Sequence, residues 1–115
     1  MFVTVRINTD IQTGTLVCHD INNVWRVATS SDNAPLGVIE YTSTDEFGQT
    51  WGRVILAGPA RVMCGAIPPA EGGWLACDDQ GRAIVGTVED CGLIAPQSQG
   101  QTEPAVGDLI LVYIR

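Results

Sequence analysis

A glycine-proline break divides the most apolar part of this sequence into two short runs. Residues 54–56 are Val-Ile-Leu, Gly58 and Pro59 follow, and residues 61–63 resume the apolar pattern. Proline has no amide hydrogen to donate, so Pro59 must lie at a bulge, a bend or an unpaired strand edge. Short apolar runs bounded by glycine and proline are typical of β-strands. The segment 51–64 therefore predicts two strand segments hinged at Gly58 and Pro59.

The rest of the chain also favours strands. Residues 2–8 alternate, so that Val3, Val5 and Ile7 share one face of a predicted strand. The 13 glycines and six prolines favour short strands and tight turns, and no segment keeps a helical period over more than two turns. We therefore predict an all-β fold: a single compact domain of short strands over residues 1–115, built as a β-barrel or a sandwich.

The other predicted strands are separated by turn-forming residues or by polar connections such as residues 42–49. The last strand carries apolar residues on both sides, so both of its faces are expected to be covered. The clearest hairpin has its turn at 78–81, where Gly81 suits a positive φ angle. In chain order, the predicted strands beyond the first and the central pair are 15–18 and 24–28 (a hairpin), 36–41, 74–77 and 82–85 (a hairpin), 92–95 and 108–114.

The two halves of the sequence resemble each other. Three matches, at offsets of 59, 55 and 55, pair residues 14–20 with 73–79, 37–39 with 92–94, and 54–57 with 109–112. The offset changes only inside predicted loops, as expected for a duplication with loop deletions. We predict two similar β units, about residues 2–57 and 58–115, that share one core and are related by an approximate two-fold rotation. Chance coincidence of strand and turn patterns in a glycine-rich β protein is the alternative.

Charge and hydropathy narrow the range of partners. Thirteen acidic residues stand against six arginines and no lysine, which gives a formal net charge of -7. An acidic surface disfavours nucleic acid, whose phosphates need a basic footprint. No apolar run approaches the roughly 20 residues of a membrane helix, and the first residues lack the regions of a signal peptide. We therefore expect no nucleic-acid partner, no membrane partner and synthesis in the cytosol.

Groups that could carry catalysis are scarce. There is one histidine, no lysine, no Gly-x-Ser-x-Gly, no phosphate-binding glycine loop and no His-x-x-x-His pair. Asp78 and Asp79 remain, but they lie at the tip of a predicted hairpin, where turn geometry favours aspartate. We therefore expect no enzymatic activity, no catalytic residue and no cofactor.

The four cysteines do not form a recognisable metal motif. There is no Cys-x-x-Cys pair, and the spacings match no zinc finger or ribbon. Cys18 and Cys77 occupy matching places in the two halves, and each follows a leucine by two residues, so each shares the face of its leucine. We expect small buried thiols and no metal. A disulfide, or a site made of Cys18, His19, Cys77 and Asp79, is the alternative.

Aromatic residues supply the candidate interface. Trp25 is expected to cap the core, whereas Trp51 and Trp74 adjoin glycines at strand starts, where an exposed aromatic side chain serves as an anchor. A terminal strand with an unpaired edge could also pair with a neighbouring chain, so we expect a homo-oligomer. The residues of the predicted partner interface are Phe2, Val3, Phe47, Trp51 and Trp74.

A family resemblance rests on the order of the apolar runs. Glycine-bounded runs occur at residues 14–17, 35–39, 54–60, 73–83, 92–95 and 107–112. Their succession, over about residues 14–114, resembles the small decoration (cement) proteins of tailed-phage capsids. Proteins of that family are mostly β, non-enzymatic, often trimeric, and bound outside the shell where capsomers meet.

The resemblance implies a structural virion protein, made in the host cytoplasm, that binds the capsid exterior and stabilises the shell. The implied partners are the major capsid protein and two further copies of the chain in a homotrimer. Two alternatives stay open. One is another virion module, from a tail or a baseplate. The other is a small metal-binding or enzymatic β-barrel with Asp78, Asp79, Cys18 and His19 as its functional groups.

Overall fold

A computed structural model describes residues 1–7, 11–19, 24–30, 37–66, 75–85, 93–94 and 106–114 of the chain. The fold is all-β, as predicted, and no helix occurs among these residues. The strands, in chain order, are β1 (Phe2–Ile7), β2 (Leu16–His19), β3 (Trp25–Val27), β4 (Gly37–Thr44), β5 (Thr50–Ile55), β6 (Gly58–Met63), β7 (Leu75–Cys77), β8 (Ala83–Val85), β9 (Leu93–Ile94) and β10 (Leu109–Ile114).

The first five strands form a closed barrel in the order β1-β3-β2-β4-β5. The barrel closes because β5 pairs antiparallel with the whole of β1, from Phe2 opposite Ile55 to Ile7 opposite Thr50. β2 and β3 pair antiparallel, which confirms the first predicted hairpin. β4 is longer than predicted and continues to Thr44, because residues 42–44 pair with β5 and are not part of an exposed connection.

The strands of the second half form a three-stranded sheet, β6-β10-β9, and the hairpin β7-β8. The hairpin turn lies where the sequence predicts it, and Gly81 has a φ of +72°. Pro59 belongs to β6, at one end of the sheet order, opposite Tyr113 of β10. It therefore occupies an edge strand, one of the predicted places for a residue without an amide hydrogen. Gly58, with a φ of +97°, makes the bend before it.

Strand pairings in the two halves follow the same order. The antiparallel pairs β1-β5, β2-β3 and β4-β5 correspond to β6-β10, β7-β8 and β9-β10. The parallel contact between Ile7 and Trp25 also has a counterpart, the bridge between Cys64 and Ala83. The predicted two-fold rotation and the limits of the two units stay predictions, which superposition of the halves would test.

Register alone does not decide which residue of β2 corresponds to Cys77. Trp25 pairs with His19, and Ala83 pairs with Cys77. Cys18 and Cys77 are both buried in the core between the halves, whereas His19 is exposed. The matching of Cys18 with Cys77 stays a prediction, which superposition of the halves would test.

Two groups of buried side chains hold the domain together. The first fills the barrel and comprises Ile7, Ile11, Val17, Trp25, Ile39 and Val54, with Val3, Val5, Val27 and Leu56 packed against it. The second joins the halves and comprises Leu16, Cys18, Ala28, Val38, Ala60, Val62, Cys64, Cys77, Ala83, Ile110 and Val112, with Ile55 packed against it. β2 contributes to both groups, since Val17 belongs to the first and Leu16 to the second. This explains why β2 is apolar on both faces.

The two faces of the last strand are covered to different degrees among the described residues. Ile110 and Val112 are buried, but Leu109 is 39% exposed and Leu111 is partly exposed. The core between the halves covers one face of β10, and a groove lined by Leu109, Leu111 and Pro59 opens on the other. Full cover of both faces therefore stays a prediction.

Two glycines join the halves through their backbone. The carbonyl oxygen of Gly14 accepts the N–H of Met63, and that of Gly81 accepts the N–H of Leu16, both at 2.8 Å. Both glycines have positive φ, +90° and +72°. A Cβ atom at Gly14 would lie 2.5 Å from the Leu109 side chain, and one at Gly81 would lie 2.9 Å from the Leu16 carbonyl oxygen. Glycine is therefore required at both positions for conformation. At Gly81 it is also required for space, because the backbone oxygen of Leu16 cannot move aside, whereas the Leu109 side chain near Gly14 is 39% exposed and can rotate away.

We expect Gly81→Ala to destabilise the domain more than Gly14→Ala or Gly48→Ala does. Gly48 also has positive φ (+80°), but a Cβ atom there would meet nothing within 4 Å, so its replacement costs about 1–2 kcal/mol of backbone strain. Gly14→Ala carries a similar strain, because the Leu109 side chain can rotate away, whereas steric overlap adds about 1–3 kcal/mol at Gly81. Urea unfolding of the three variants measures the difference. Equal losses for all three would contradict the close approach of the halves at Gly81.

Candidate functional site

The outer face of three neighbouring barrel strands, β1, β5 and β4, carries a row of exposed aromatic side chains. Phe2 of β1 and Tyr41 of β4 are 51% and 50% exposed, and Arg53 of β5 lies between them. The guanidinium carbon of Arg53 is 3.4 Å from the Phe2 ring centroid and 5.9 Å from that of Tyr41. We call Phe2, Tyr41, Phe47, Trp51 and Arg53 the aromatic face.

A β-bulge directs Tyr41 outward. The register between β4 and β5 shifts between Ile39 and Tyr41. Ile39 is buried inside the barrel, and strict alternation would place Tyr41, two residues later, on the same inner side. The extra residue, Glu40, reverses the alternation, so Tyr41 lies opposite Arg53 on the outer surface. This is why alternation alone does not indicate Tyr41 as an interface residue.

Arg53 lies between the exposed aromatic side chains of β1 and β4. Its guanidinium stacks on Phe2, which at an exposed site contributes about 0.5–1 kcal/mol. Its Nε lies 3.1 Å from the Glu40 carboxylate, but both side chains are partly exposed, so this ion pair contributes at most about 1 kcal/mol. No acceptor in the described part of the chain is aligned for a hydrogen bond with that Nε. Stacking on Phe2 and the ion pair with Glu40 therefore restrain Arg53 together, each by a small amount.

The turn between β4 and β5 adds the aromatic side chain that is most exposed among the described residues. Phe47, at its tip, is 82% exposed. Asp45 Oδ1 accepts the backbone N–H groups of Phe47 and Gln49, and Asp45 Oδ2 accepts the indole N–H of Trp51, all at 2.9 Å. Gly48, with a φ of +80°, completes the turn. One carboxylate therefore fixes both the backbone of the turn and the half-buried indole beside it.

These hydrogen bonds favour the ionised form of Asp45. The Trp51 indole N–H, followed by the Gln49 backbone N–H, holds the pKa of Asp45 below the ordinary aspartate value, although desolvation opposes this and the Phe47 N–H adds a smaller lowering. Because the pKa is lower in the folded than in the unfolded chain, the stabilisation is complete above the unfolded pKa. It is lost as the pH falls through the folded pKa.

We therefore expect the indole N–H resonance of Trp51 to shift only when the pH falls below the ordinary aspartate pKa. Two-dimensional NMR measures the shift, and Trp51→Phe assigns the resonance by its loss. In Asp45→Asn the resonance should not titrate over the same range. A midpoint at or above the ordinary aspartate pKa in the native protein would contradict the hydrogen bond between the indole and Asp45.

The structure brings two of the predicted interface residues close together and places a third farther along the same sheet. Phe47 is exposed in the turn, with Trp51 half-buried next to that turn, whereas Phe2 is exposed at the opposite end of β5, opposite Ile55. Val3 packs against the barrel core, because it alternates with Phe2, so its side chain is not part of the outer face. Trp74 lies outside the described residues. Sequence reasoning missed Tyr41 and Arg53.

The residues of the metal-binding and enzymatic alternatives have different surroundings. Among the described residues no group of three or more His, Cys, Asp or Glu side chains could hold a metal ion. Cys18 and Cys77 are both buried in the core between the halves, whereas His19 is exposed and packs edge-on against Trp25. The Cys77 thiol donates to the Asp78 carbonyl oxygen, and Asp79 accepts the backbone N–H and the hydroxyl of Ser30.

Asp78 has the turn role predicted for it. Its Oδ1 accepts the backbone N–H groups of Gln80 and Arg82, and its Oδ2 lies 2.8 Å from the Arg82 Nε. This is the arrangement of Asp45, with the arginine side chain in place of the indole. The sequence signal common to both is Asp-x-x-Gly between two strands.

Replacing Asp78 and Asp79 together with Asn should lower the free energy of unfolding by well under about 1–2 kcal/mol. The amide oxygen introduced at position 78 would still accept the backbone N–H groups, since both are turn bonds. Urea unfolding measures the stability, and elemental analysis of both purified proteins should find no stoichiometric metal. A metal that is bound by the native protein and lost in the double variant would instead support the metal-binding alternative.

Comparison of the sequence with models of known protein families and with curated proteins finds no match. Within the described ranges, no helix has the length and apolar character needed to cross a membrane.

Proposed function

We propose that the protein is a structural virion protein that binds the outer surface of a phage capsid and stabilises the shell without catalysis. The observation that supports this most is the aromatic face. Phe2, Tyr41 and Phe47 are each at least half exposed, on β1, on β4 and in the turn that follows β4. Arg53 of the intervening strand β5 contacts Phe2 and Tyr41, and Phe47 extends the face at the other end of β5. Large apolar side chains exposed on one face mark interaction sites more often than singly scattered ones do. Aromatic residues and arginine are also the types enriched at protein interfaces.

The barrel provides a rigid support for the aromatic face. The side chains of the face stand on strands whose other side is the packed barrel core, with Val54 and Ile39 fully buried beneath. Backbone pairing along β1, β5 and β4 fixes the spacing of the aromatic rings. A preformed surface loses little conformational entropy on binding, so more of its contact energy contributes to affinity.

Stabilisation of the shell follows from mass action. A protein that binds the assembled shell but not its separated subunits shifts the assembly equilibrium towards the shell. The stabilising free energy grows with the ratio of the free protein concentration to Kd. Because the shell offers many identical sites, a modest affinity at each site is multiplied over the particle. The protein needs only to be present, rigid and complementary, and no chemical step is required.

Charge complementarity also constrains the docking site on the partner. Glu40 and Glu46 are exposed at the aromatic face, which also carries Arg53, and Arg6 is exposed on β1 opposite Trp51. A matching surface on the major capsid protein would offer apolar pockets for the aromatic rings and charges of opposite sign around them. The proposed oligomer is a homotrimer, as the resemblance to cement proteins implies, and the mass of the protein in solution tests it.

We expect shells decorated with this protein to resist heat better than bare shells, and Phe47→Ser to lose much of that effect. Val106→Ser is the matched control, because Val106 is 56% exposed but lies outside the aromatic face. Loss of an aromatic anchor costs about 1–2 kcal/mol or more at an interface, which is about tenfold or more in Kd. Shell melting and co-sedimentation measure the two effects.

Bare and decorated shells that melt alike, with no co-sedimentation, would overturn the proposal. Co-sedimentation with tails or baseplates, and not with shells, would assign the protein to another virion module. Equal losses in Phe47→Ser and Val106→Ser would show that binding does not use the aromatic face.

A further inference from the structure

We propose that Asp45 is a positioning residue for docking: it holds the Trp51 indole and the turn that carries Phe47 in the bound arrangement before the partner arrives. The inference rests on the proposed function and goes beyond it, because it assigns the pre-organisation of the interface to one carboxylate. Three N–H groups converge on that carboxylate, two from the backbone of the turn and one from the indole, each at 2.9 Å.

The indole bond is not needed to close the turn. Asp45 donates its backbone N–H to the Gln49 carbonyl oxygen, and Gly48 donates its N–H to the Asp45 carbonyl oxygen. Oδ1 adds two further backbone bonds within the same turn. The bond from Trp51 to Oδ2 is therefore additional, and what it fixes is the orientation of a half-buried aromatic side chain on the aromatic face.

The second aspartate turn of the chain supports this distinction. Asp78 Oδ1 accepts two backbone N–H groups in the same way, but Asp78 Oδ2 pairs with the Arg82 side chain within its own turn. Only the third donor differs between these two turns. In the β4-β5 turn that donor comes from β5, six residues from the aspartate, so the carboxylate connects the turn to the strand beside it.

Such a restraint raises affinity by lowering the entropic cost of binding. An indole that rotates freely must be ordered when the partner binds, whereas one already bonded to Asp45 does not. The proposed partner of this surface is the exterior of the capsid shell, where an apolar pocket would receive the Phe47 side chain. We expect basic residues of the partner beside that pocket, because Glu46 is exposed next to Phe47 and the whole chain is acidic.

Asp45→Asn separates the two roles of the carboxylate. The amide oxygen still accepts the N–H groups of Phe47 and Gln49, but the amide nitrogen cannot accept the indole N–H. We expect Asp45→Asn to weaken binding to shells about 3- to 10-fold, because ordering one large side chain costs about that much in affinity. Asp78→Asn, the same change in the other turn, should bind as the native chain does.

A double-mutant cycle tests whether Asp45 affects binding through the Trp51 indole. Trp51→Phe removes the N–H donor, so Asp45→Asn should weaken binding no further when it is made in Trp51→Phe. Binding is measured by titrating shells with labelled protein, and the NMR amide resonances of Phe47 and Gln49 report whether the turn stays formed. Urea unfolding verifies that each variant is folded.

The outcomes separate this inference from the proposed function. If the native chain binds shells and Asp45→Asn binds equally well, the positioning role is wrong and the proposed function stands. An equal loss from Asp45→Asn with and without Trp51 would likewise overturn it, because the effect would not pass through the indole. If the native chain does not bind shells, the proposed function fails, and the docking role of Asp45 fails with it.

Discussion

The fold depends on how closely the two halves approach each other at Gly14 and Gly81. Each glycine has positive φ and offers its carbonyl oxygen to an amide of the opposite half, and a Cβ atom at Gly81 would overlap the Leu16 backbone. This contact places Leu16 of β2 in the core between the halves while Val17 stays in the barrel. The second half thereby covers one side of the barrel and leaves the rings of Phe2 and Tyr41 uncovered. The exposed aromatic face is thus a consequence of where the halves meet.

Much of the strand content could be predicted from the sequence, because period-2 alternation and turn residues act locally. β1 alternates as its sequence indicates, and the hairpin around residues 78–81 forms where Asp and Gly place it. Register is different, since it depends on partners distant in the chain. The bulge at Glu40 turns Tyr41 outward, which alternation alone cannot show.

The candidate site combines local and long-range features. The turn that carries Phe47 has a local signal, an aspartate three residues before a glycine, and that signal could have suggested a fixed hairpin tip at residues 45–49. The stacking of Arg53 on Phe2 has no local signal, because the two residues become neighbours only when β5 pairs with β1. The resemblance to capsid decoration proteins supplies the proposed partner, while the geometry supplies the surface that would meet it.

The central claim is that the aromatic face of the barrel meets the shell. A cryo-electron microscopy map of decorated shells, at a resolution that separates side chains, tests it most directly. The account predicts density for Phe47 and Trp51 against the major capsid protein, with the turn at residues 45–49 still held by the Asp45 carboxylate. A map in which the outer face of β1, β5 and β4 points to solvent, while another surface contacts the shell, would contradict the account.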